Sequence, residues 1–240
     1  MQPFKIKTHR KIACDVYEIT FEKPEDLVIQ SGQFALLYLD HPDFYLGRPF
    51  SFANISATDF TIIYKVVGQG TQYLSTLKRG TDVKMRIPLG QGFPIDTSHQ
   101  KILIYAGGLG LAPLLSLTQE LKAKTVHYVV GFQSEKDVYG LAKIPSQHLE
   151  LFTDDGSKGK KGNVLKSQLD PHAYDAVYAC GPEKMLTALM PRLVAHPHAY
   201  ISIEERMACG SGICMGCVCG KNNEKRVCLE GPVFKVKELV

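Results

Sequence analysis

Cys209, Cys214, Cys217 and Cys228 stand in the pattern C-x4-C-x2-C-x10-C, and no other feature of this 240-residue chain narrows its chemistry as much. Five of the seven cysteines fall between Cys209 and Cys228. The opening Met1-Gln2-Pro3-Phe4-Lys5-Ile6-Lys7 alternates charge with apolar residues and lacks the apolar core of a signal peptide. The expectation is therefore a cytoplasmic, reducing setting, in which clustered thiols bind metal rather than pair as disulfides. The first three cysteines have the spacing of a loop that wraps a [2Fe–2S] cluster and presents successive thiolates to it. Gly210, Gly212 and Gly216 lie between them, where backbone N–H groups must turn toward sulfur. A structural zinc site is an alternative, although zinc favours paired C-x2-C knuckles; unligated thiols are another. Cys219 is the spare thiol, expected to pack as a small apolar residue. Cys14 and Cys180 lie in strand-like runs and are not expected to be ligands.

The cysteine-rich tail is too short to bury a core of its own, so other parts of the chain must hold it. Up to about Asp96, strand-like runs at 11–21, 33–39, 60–67 and 83–87 are separated by Gly and Pro turn signals. That spacing predicts a small antiparallel barrel. From about Thr97 the pattern changes. Runs at 101–106, 125–132, 148–153 and 176–180 read as buried strands, and 114–123 and 183–195 read as helices. Strands alternating with helices predict a doubly wound parallel sheet. The expected fold class is thus β-barrel plus α/β, with units at 1–96, 97–199 and 200–240.

Bulk properties exclude some functions. A net charge of +4 without a basic stripe gives no reason to expect nucleic-acid binding. Lys158-Gly159-Lys160-Lys161 reads as a solvated loop. The uncharged run 102–117 is broken by Gly107, Gly108, Gly110 and Pro113, so it predicts a strand–turn–helix rather than a membrane span.

Four short motifs point to nucleotides. Arg48-Pro49-Phe50-Ser51 precedes an apolar segment, and Gly68-Gln69-Gly70-Thr71 opens a helix-like run at 72–78 with Thr71 as the expected N-cap. A Gly-rich turn at a helix start offers free N–H groups to a diphosphate, and Arg48 would add a charge-assisted contact. Gly107-Gly108-Leu109-Gly110-Leu111-Ala112-Pro113 follows a strand and opens a helix, where small residues let a pyrophosphate approach the backbone. Cys180-Gly181-Pro182 ends a sheet strand, the edge at which open α/β sheets bind ligands. Thr153-Asp154-Asp155-Gly156 ends another and would touch a ribose or simply form a turn. Each motif alone also reads as an ordinary loop.

Taken in order, these motifs and the cysteine cluster resemble the ferredoxin–NADP reductase superfamily, in which a flavin-binding barrel precedes a nicotinamide domain. The tail Glu204-Glu205-Arg206-Met207-Ala208-Cys209 and the ending Arg226-Val227-Cys228-Leu229-Glu230-Gly231-Pro232 look like those of the electron-transfer subunit of class 1B, NAD-dependent dihydroorotate dehydrogenase. The resemblance implies FAD contacts from Arg48 near the diphosphate, Pro49, Phe50 and Ser51 near the flavin ring, Ile63, Tyr64 and Lys65 along the adenylate side, and Gly70 with Thr71 at the diphosphate. Many members of the superfamily have Tyr where this chain has Phe50. Gly107, Gly108, Gly110, Cys180, Gly181 and Pro182 would flank NAD. Cys209, Cys214, Cys217 and Cys228 would ligate the cluster. No catalytic residue is assigned.

The implied partner is an FMN-containing catalytic subunit, in a dimer of heterodimers that serves de novo pyrimidine (UMP) biosynthesis. NADH gives up two electrons together and a [2Fe–2S] cluster accepts one, so FAD, which handles both, belongs between them. Exposed apolar residues around Met207, Ile213 and Met215 are expected at the subunit interface. Alternatives are the flavoprotein subunits of sulfite reductases, hydrogenases or ferredoxin oxidoreductases, some with Asp where Cys209 stands. A self-contained oxygenase reductase and a flavin-free zinc module are others.

Overall fold

The computed structural model describes residues 1–121 and 124–240. Alternation builds the first unit. In β1 (Gln2–Ala13) Phe4 and Ile6 are buried while Lys5 and Lys7 face solvent. β2 (Val16–Glu22), β3 (Phe34–Tyr38), β4 (Arg48–Ile55), β5 (Asp59–Lys65) and β6 (Asp82–Leu89) complete a closed antiparallel barrel in the order β1-β2-β5-β4-β3-β6. Closure leaves no open edge. Phe60 is the hub of its interior, edge-on to Phe4 at 5.3 Å and to Phe52 at 5.5 Å and stacked on Phe21 at 5.3 Å. Emptying that position would cost about 3–5 kcal/mol.

Two local expectations are corrected here. Residues 11–21 form a hairpin rather than one strand: Ala13 pairs with Val16, and Asp15 takes a φ of 54°. Asp tolerates that left-handed turn, which places Cys14 in a loop. Helix α1 (Gln69–Thr76) starts earlier than expected, with Gly68 as its N-cap. Thr71 lies inside the first turn, and its hydroxyl accepts hydrogen bonds from the N–H groups of Val67 (2.9 Å) and Gly68 (3.2 Å).

The second unit is a seven-stranded sheet built on β7 (Lys101–Gly107), β8 (Thr125–Phe132), β9 (Leu149–Thr153), β10 (Lys160–Lys161), β11 (Ala176–Cys180), β12 (Ala199–Ser202) and β15 (Val233–Lys235). Its order is β10-β9-β8-β7-β11-β12-β15, parallel except for β15. The lysine run expected as loop supplies β10, an exposed edge strand. Strand β7 is buried on both faces, which explains its unbroken apolar run. Ile102, Ile104 and Ala106 face helix α2 (Leu111–Glu120) and the barrel, while Leu103 and Tyr105 face helix α3 (Glu183–Leu193). One helix on each face makes the sheet doubly wound, although short 3-10 turns replace helices between β8 and β11. Lys122 and Ala123, the end of the expected first helical run, lie outside the described residues.

The chain order reverses between β7 and β11, so the ends of these two strands open a crevice. The cysteine segment leaves β12 and returns as β15, with the Ile203 N–H donating to the Pro232 carbonyl (2.9 Å). Within it, β13 (Val218–Cys219) and β14 (Lys225–Arg226) form a small hairpin. The segment also rests on the barrel. The Gln91 N–H donates to the Gly231 carbonyl (2.6 Å), Arg86 of β6 donates to the Cys209 carbonyl, and Leu36 of β3 lies against Gly210. That contact explains why β3 is apolar on its outer face as well: Phe34 and Leu36 pack on the cysteine segment. No helix among the described residues is long and apolar enough to cross a membrane.

Candidate functional site

A cleft of about 490 Å³ opens on β4 and β5 and is lined by Pro49, Phe50, Ser51, Ile63, Tyr64 and Thr71. Phe50 and Tyr64 form an aromatic wall, their rings 5.7 Å apart. The Tyr64 hydroxyl is turned away from it. His9 donates from Nδ1 to the Leu77 carbonyl (2.8 Å), which leaves Nε2 to accept from the Tyr64 hydroxyl (2.8 Å). Arg48 stands at the margin with its guanidinium 4.8 Å from the Phe44 ring centre and Nη1 on the Leu46 carbonyl (2.9 Å). A Cβ on Gly70 would lie 2.2 Å from Arg48 Nε, so only glycine lets the guanidinium lie across the start of α1. The two motifs that the sequence separates thus meet in one electropositive corner, as diphosphate binding requires.

A second cleft, of about 580 Å³, occupies the crevice at the ends of β7 and β11. Gly107, Gly108 and Gly110 line one side and Gly181 and Pro182 the other. The two loops are packed together: a Cβ on Gly110 would fall 2.3 Å from the Cys180 carbonyl oxygen. Cys180 itself is buried, and burial pushes its thiol pKa upward, so it acts as neutral packing. Tyr139 props the glycine loop from beneath, its hydroxyl 3.3 Å from the carbonyls of Gly108 and Leu109. Asp154 lines this cleft, consistent with contact to a ribose.

The clefts share a wall made by Lys65, Leu109 and Glu204. Lys65 Nζ pairs with Asp137 Oδ1 at 3.1 Å. Glu204 is reached by solvent through the clefts yet crowded by protein, and this partial burial raises its carboxyl pKa above the ordinary range. Sequence reasoning missed Asp137 and Tyr139 and read Glu204 only as part of a motif. A usable signal existed, because Glu204 follows β12 and Asp137 follows β8, at the strand ends where such sheets bind ligands.

The cysteines form a third centre beside the first cleft, which Met207 lines from the start of the same loop. Five backbone N–H groups point at their sulfurs. Ser211 and Cys214 donate to Cys209 Sγ at 3.4 Å each, Gly212 to Cys228 Sγ at 3.2 Å, Gly216 to Cys214 Sγ at 3.4 Å and Cys228 to Cys217 Sγ at 3.4 Å. Those from Cys214 and Ser211 pull the Cys209 thiol down to about 5. Burial pushes Cys228 up to about 11. Cys219 is also pushed up to about 11 by burial, and its thiol receives no N–H among the bonds of the described residues. Among the described residues no three Cys, His, Asp or Glu side chains converge as ligands of one ion. The Cys209 and Cys214 side chains lie within hydrogen-bond reach of each other, as do those of Cys217 and Cys228. Cys217 and Cys228 are buried and Cys214 is exposed. Beside Cys214, Ile213 is 83% and Met215 50% exposed, whereas Met207 is buried and leaves the expected interface.

Residues 204–240 match the family model described as the iron-sulfur cluster binding domain of dihydroorotate dehydrogenase B. The chain is 37% identical to the dihydroorotate dehydrogenase B (NAD(+)) electron transfer subunit of Caldanaerobacter subterraneus, over 98% of this chain and 97% of the relative. It is 38% identical to the subunit of that name from Streptococcus mutans, over 98% and 96%. Among solved structures, that of an NADH-dependent reduced ferredoxin–NADP oxidoreductase superposes with a TM-score of 0.87 at 25% identity, over 100% of this chain and 90% of the other. The FAD/NAD-binding domain of a nitric oxide dioxygenase from Vibrio cholerae shares the fold, with a TM-score of 0.73 at 18% identity over 85% and 98%.

Proposed function

The chain belongs to the family of electron-transfer subunits of NAD-dependent dihydroorotate dehydrogenase B, and on that premise we propose which residues carry its reaction. The protein is an oxidoreductase subunit with FAD and a [2Fe–2S] cluster, and NAD is its substrate. It carries electrons from a dihydroorotate dehydrogenase catalytic subunit through the cluster and FAD to NAD+, in pyrimidine biosynthesis. FAD supplies the step that the other two centres cannot, exchanging electrons singly with the cluster and in pairs with the nicotinamide.

Arg48, Gly70 and Thr71 hold the FAD diphosphate, with the positive charge of Arg48 at the start of α1. Pro49, Phe50 and Ser51 support the flavin ring, and Ile63, Tyr64 and Lys65 line the remainder of its cleft. Gly107, Gly108 and Gly110 give the NAD pyrophosphate access to backbone, and Cys180, Gly181 and Pro182 bound the nicotinamide. Lys65, Leu109 and Glu204 form the wall between the two clefts and so would border both FAD and NAD. Cys209, Cys214, Cys217 and Cys228 ligate the cluster.

The observation that carries this reading is the shared wall of the two clefts, with the cysteine loop anchored to β3 and β6 of the same barrel. The partner is an FMN-containing catalytic subunit, assembled as a dimer of heterodimers in the cytoplasm. Co-expression of the two genes should yield one complex that reduces NAD+ with dihydroorotate, while the isolated chain reduces dyes with NADH and leaves dihydroorotate unchanged. Two separate monodisperse proteins would refute it.

A further inference from the structure

Three of the four cysteines lie on one loop, but Cys228 arrives from beyond the β13–β14 hairpin, so the far end of the loop, at Gly212, needs a tie to the second arm. Arg226 provides it. Its Nη1 donates to the Gly212 carbonyl (3.1 Å), and its Nε donates to Glu230 Oε1 and Oε2 at 3.2 and 3.1 Å. Nη2 also pairs with Glu230 Oε1. The Arg226 N–H donates to Glu230 Oε2 (2.7 Å), and the Arg226 carbonyl accepts from the N–H groups of Leu229, Glu230 and Gly231. Arg226 grips the carbonyl of Gly212, the residue whose N–H donates to Cys228 Sγ. The contacts therefore form a closed ring: Glu230 fixes Arg226, Arg226 fixes Gly212, and Gly212 bonds the thiol carried between Arg226 and Glu230.

We propose that Arg226, held by Glu230, is a positioning residue that locks the fourth thiolate against the loop bearing the other three and sets the cluster's reduction potential. The inference rests on the ligand assignment above. Planarity matters, because one guanidinium reaches Gly212 from one corner while its other edge takes the carboxylate as a fork, which an ammonium cannot reproduce. Charge matters too. The guanidinium stands between the carboxylate and the cysteine loop, so the negative cluster meets a cation before it meets an anion. Reduction adds negative charge, and a nearby cation favours it.

The test is a redox titration followed by electron paramagnetic resonance, with iron release to a chelator, on the complex with the catalytic subunit. Arg226→Gln should shift the midpoint potential to more negative values and speed iron release about tenfold, as expected for one charge-assisted hydrogen bond lost. Arg226→Lys should keep the potential near that of the natural protein yet release iron faster. Glu230→Gln should shift the potential to more positive values. Unchanged potentials in Arg226→Gln and Glu230→Gln would overturn the proposal, as would unchanged iron release in Arg226→Lys. If Arg226→Gln assembles no cluster, Glu230→Gln and Arg226→Lys decide by the same criteria. Cys228→Ser separates the two levels. Its cluster should be lost or its signal altered; an unaltered signal would refute the ligand assignment itself.

Discussion

The ammonium of Lys65 stands 3.1 Å from the carboxylate of Asp137, and the two residues belong to different halves of the molecule, one on the barrel and one after β8. Burial pushes the Asp137 carboxyl upward, but hydrogen bonds from Ser134 and Lys65 outweigh it and hold the group below its ordinary range. Lys65→Met would strand a mostly buried carboxylate. We expect a loss of about 2 kcal/mol, seen in calorimetry as a midpoint lower by about 4–8 °C. The double variant Lys65→Met, Asp137→Asn should recover part of it.

Gly110→Ala should damage the nicotinamide side alone. The added Cβ would meet the Cys180 carbonyl oxygen at 2.3 Å, a backbone atom, and neither loop can yield without opening the crevice. The strain should cost about 1–3 kcal/mol. The KM for NADH should rise by about tenfold or more, while the flavin absorbance of the purified protein stays the same.

Replacing Cys209, Cys214, Cys217 or Cys228 singly by Ser should remove or shift the electron paramagnetic resonance signal of the reduced protein. Cys219→Ser should preserve it, since that side chain packs on the core beneath the hairpin. A lost signal in Cys219→Ser with Cys217→Ser intact would reverse the assignment.

Much of this was legible in the sequence, and the reason is local. β8 and β11 occupy the expected residues, 125–132 and 176–180, because buried parallel strands are unbroken apolar runs with turn residues at their ends. The glycine, C-G-P and cysteine motifs were legible because each needs particular residues at fixed spacing. What escaped depends on distant contacts. Glu204 follows a strand end, where such sheets bind ligands, but its place in the wall of two clefts exists only once the tail folds back over the barrel. Pairing of β15 with β12 is equally invisible in three residues. Thr71 was misplaced by one turn because Gly68 began the helix without a side-chain cap.

Acidification should weaken the fold through His196. Its Nε2–H donates to the Tyr174 carbonyl (3.0 Å) while Nδ1 accepts from the His198 N–H (3.1 Å), so the folded protein needs the neutral ring. Burial lowers its pKa, and that of His127 likewise. The unfolded chain therefore takes up protons first. Stability should hold above pH about 6.5 and decline as pH falls below it, until the folded histidines also protonate. Urea midpoints measured across that range should show the slope, and His196→Gln should reduce it.

Met215→Glu should weaken assembly with the catalytic subunit by about tenfold or more, leaving NADH-dependent dye reduction unchanged. Met215 and Ile213 project from the cysteine loop beside the exposed Cys214, so a charge there would be buried by any partner that approaches the cluster. Analytical ultracentrifugation of the complex gives the comparison.

The bond between the Ile203 N–H and the Pro232 carbonyl makes the whole cysteine segment a detour that begins and ends at one point. In engineering terms it is a cassette. Joining 203 to 232 by a short turn would keep β12 and β15 paired and remove the one-electron outlet, together with the Glu204 and Met207 walls of the clefts. Conversely, the same detour can be grafted at the equivalent edge of a reductase that lacks it, provided the barrel beneath supplies an Arg86 to meet the Cys209 carbonyl.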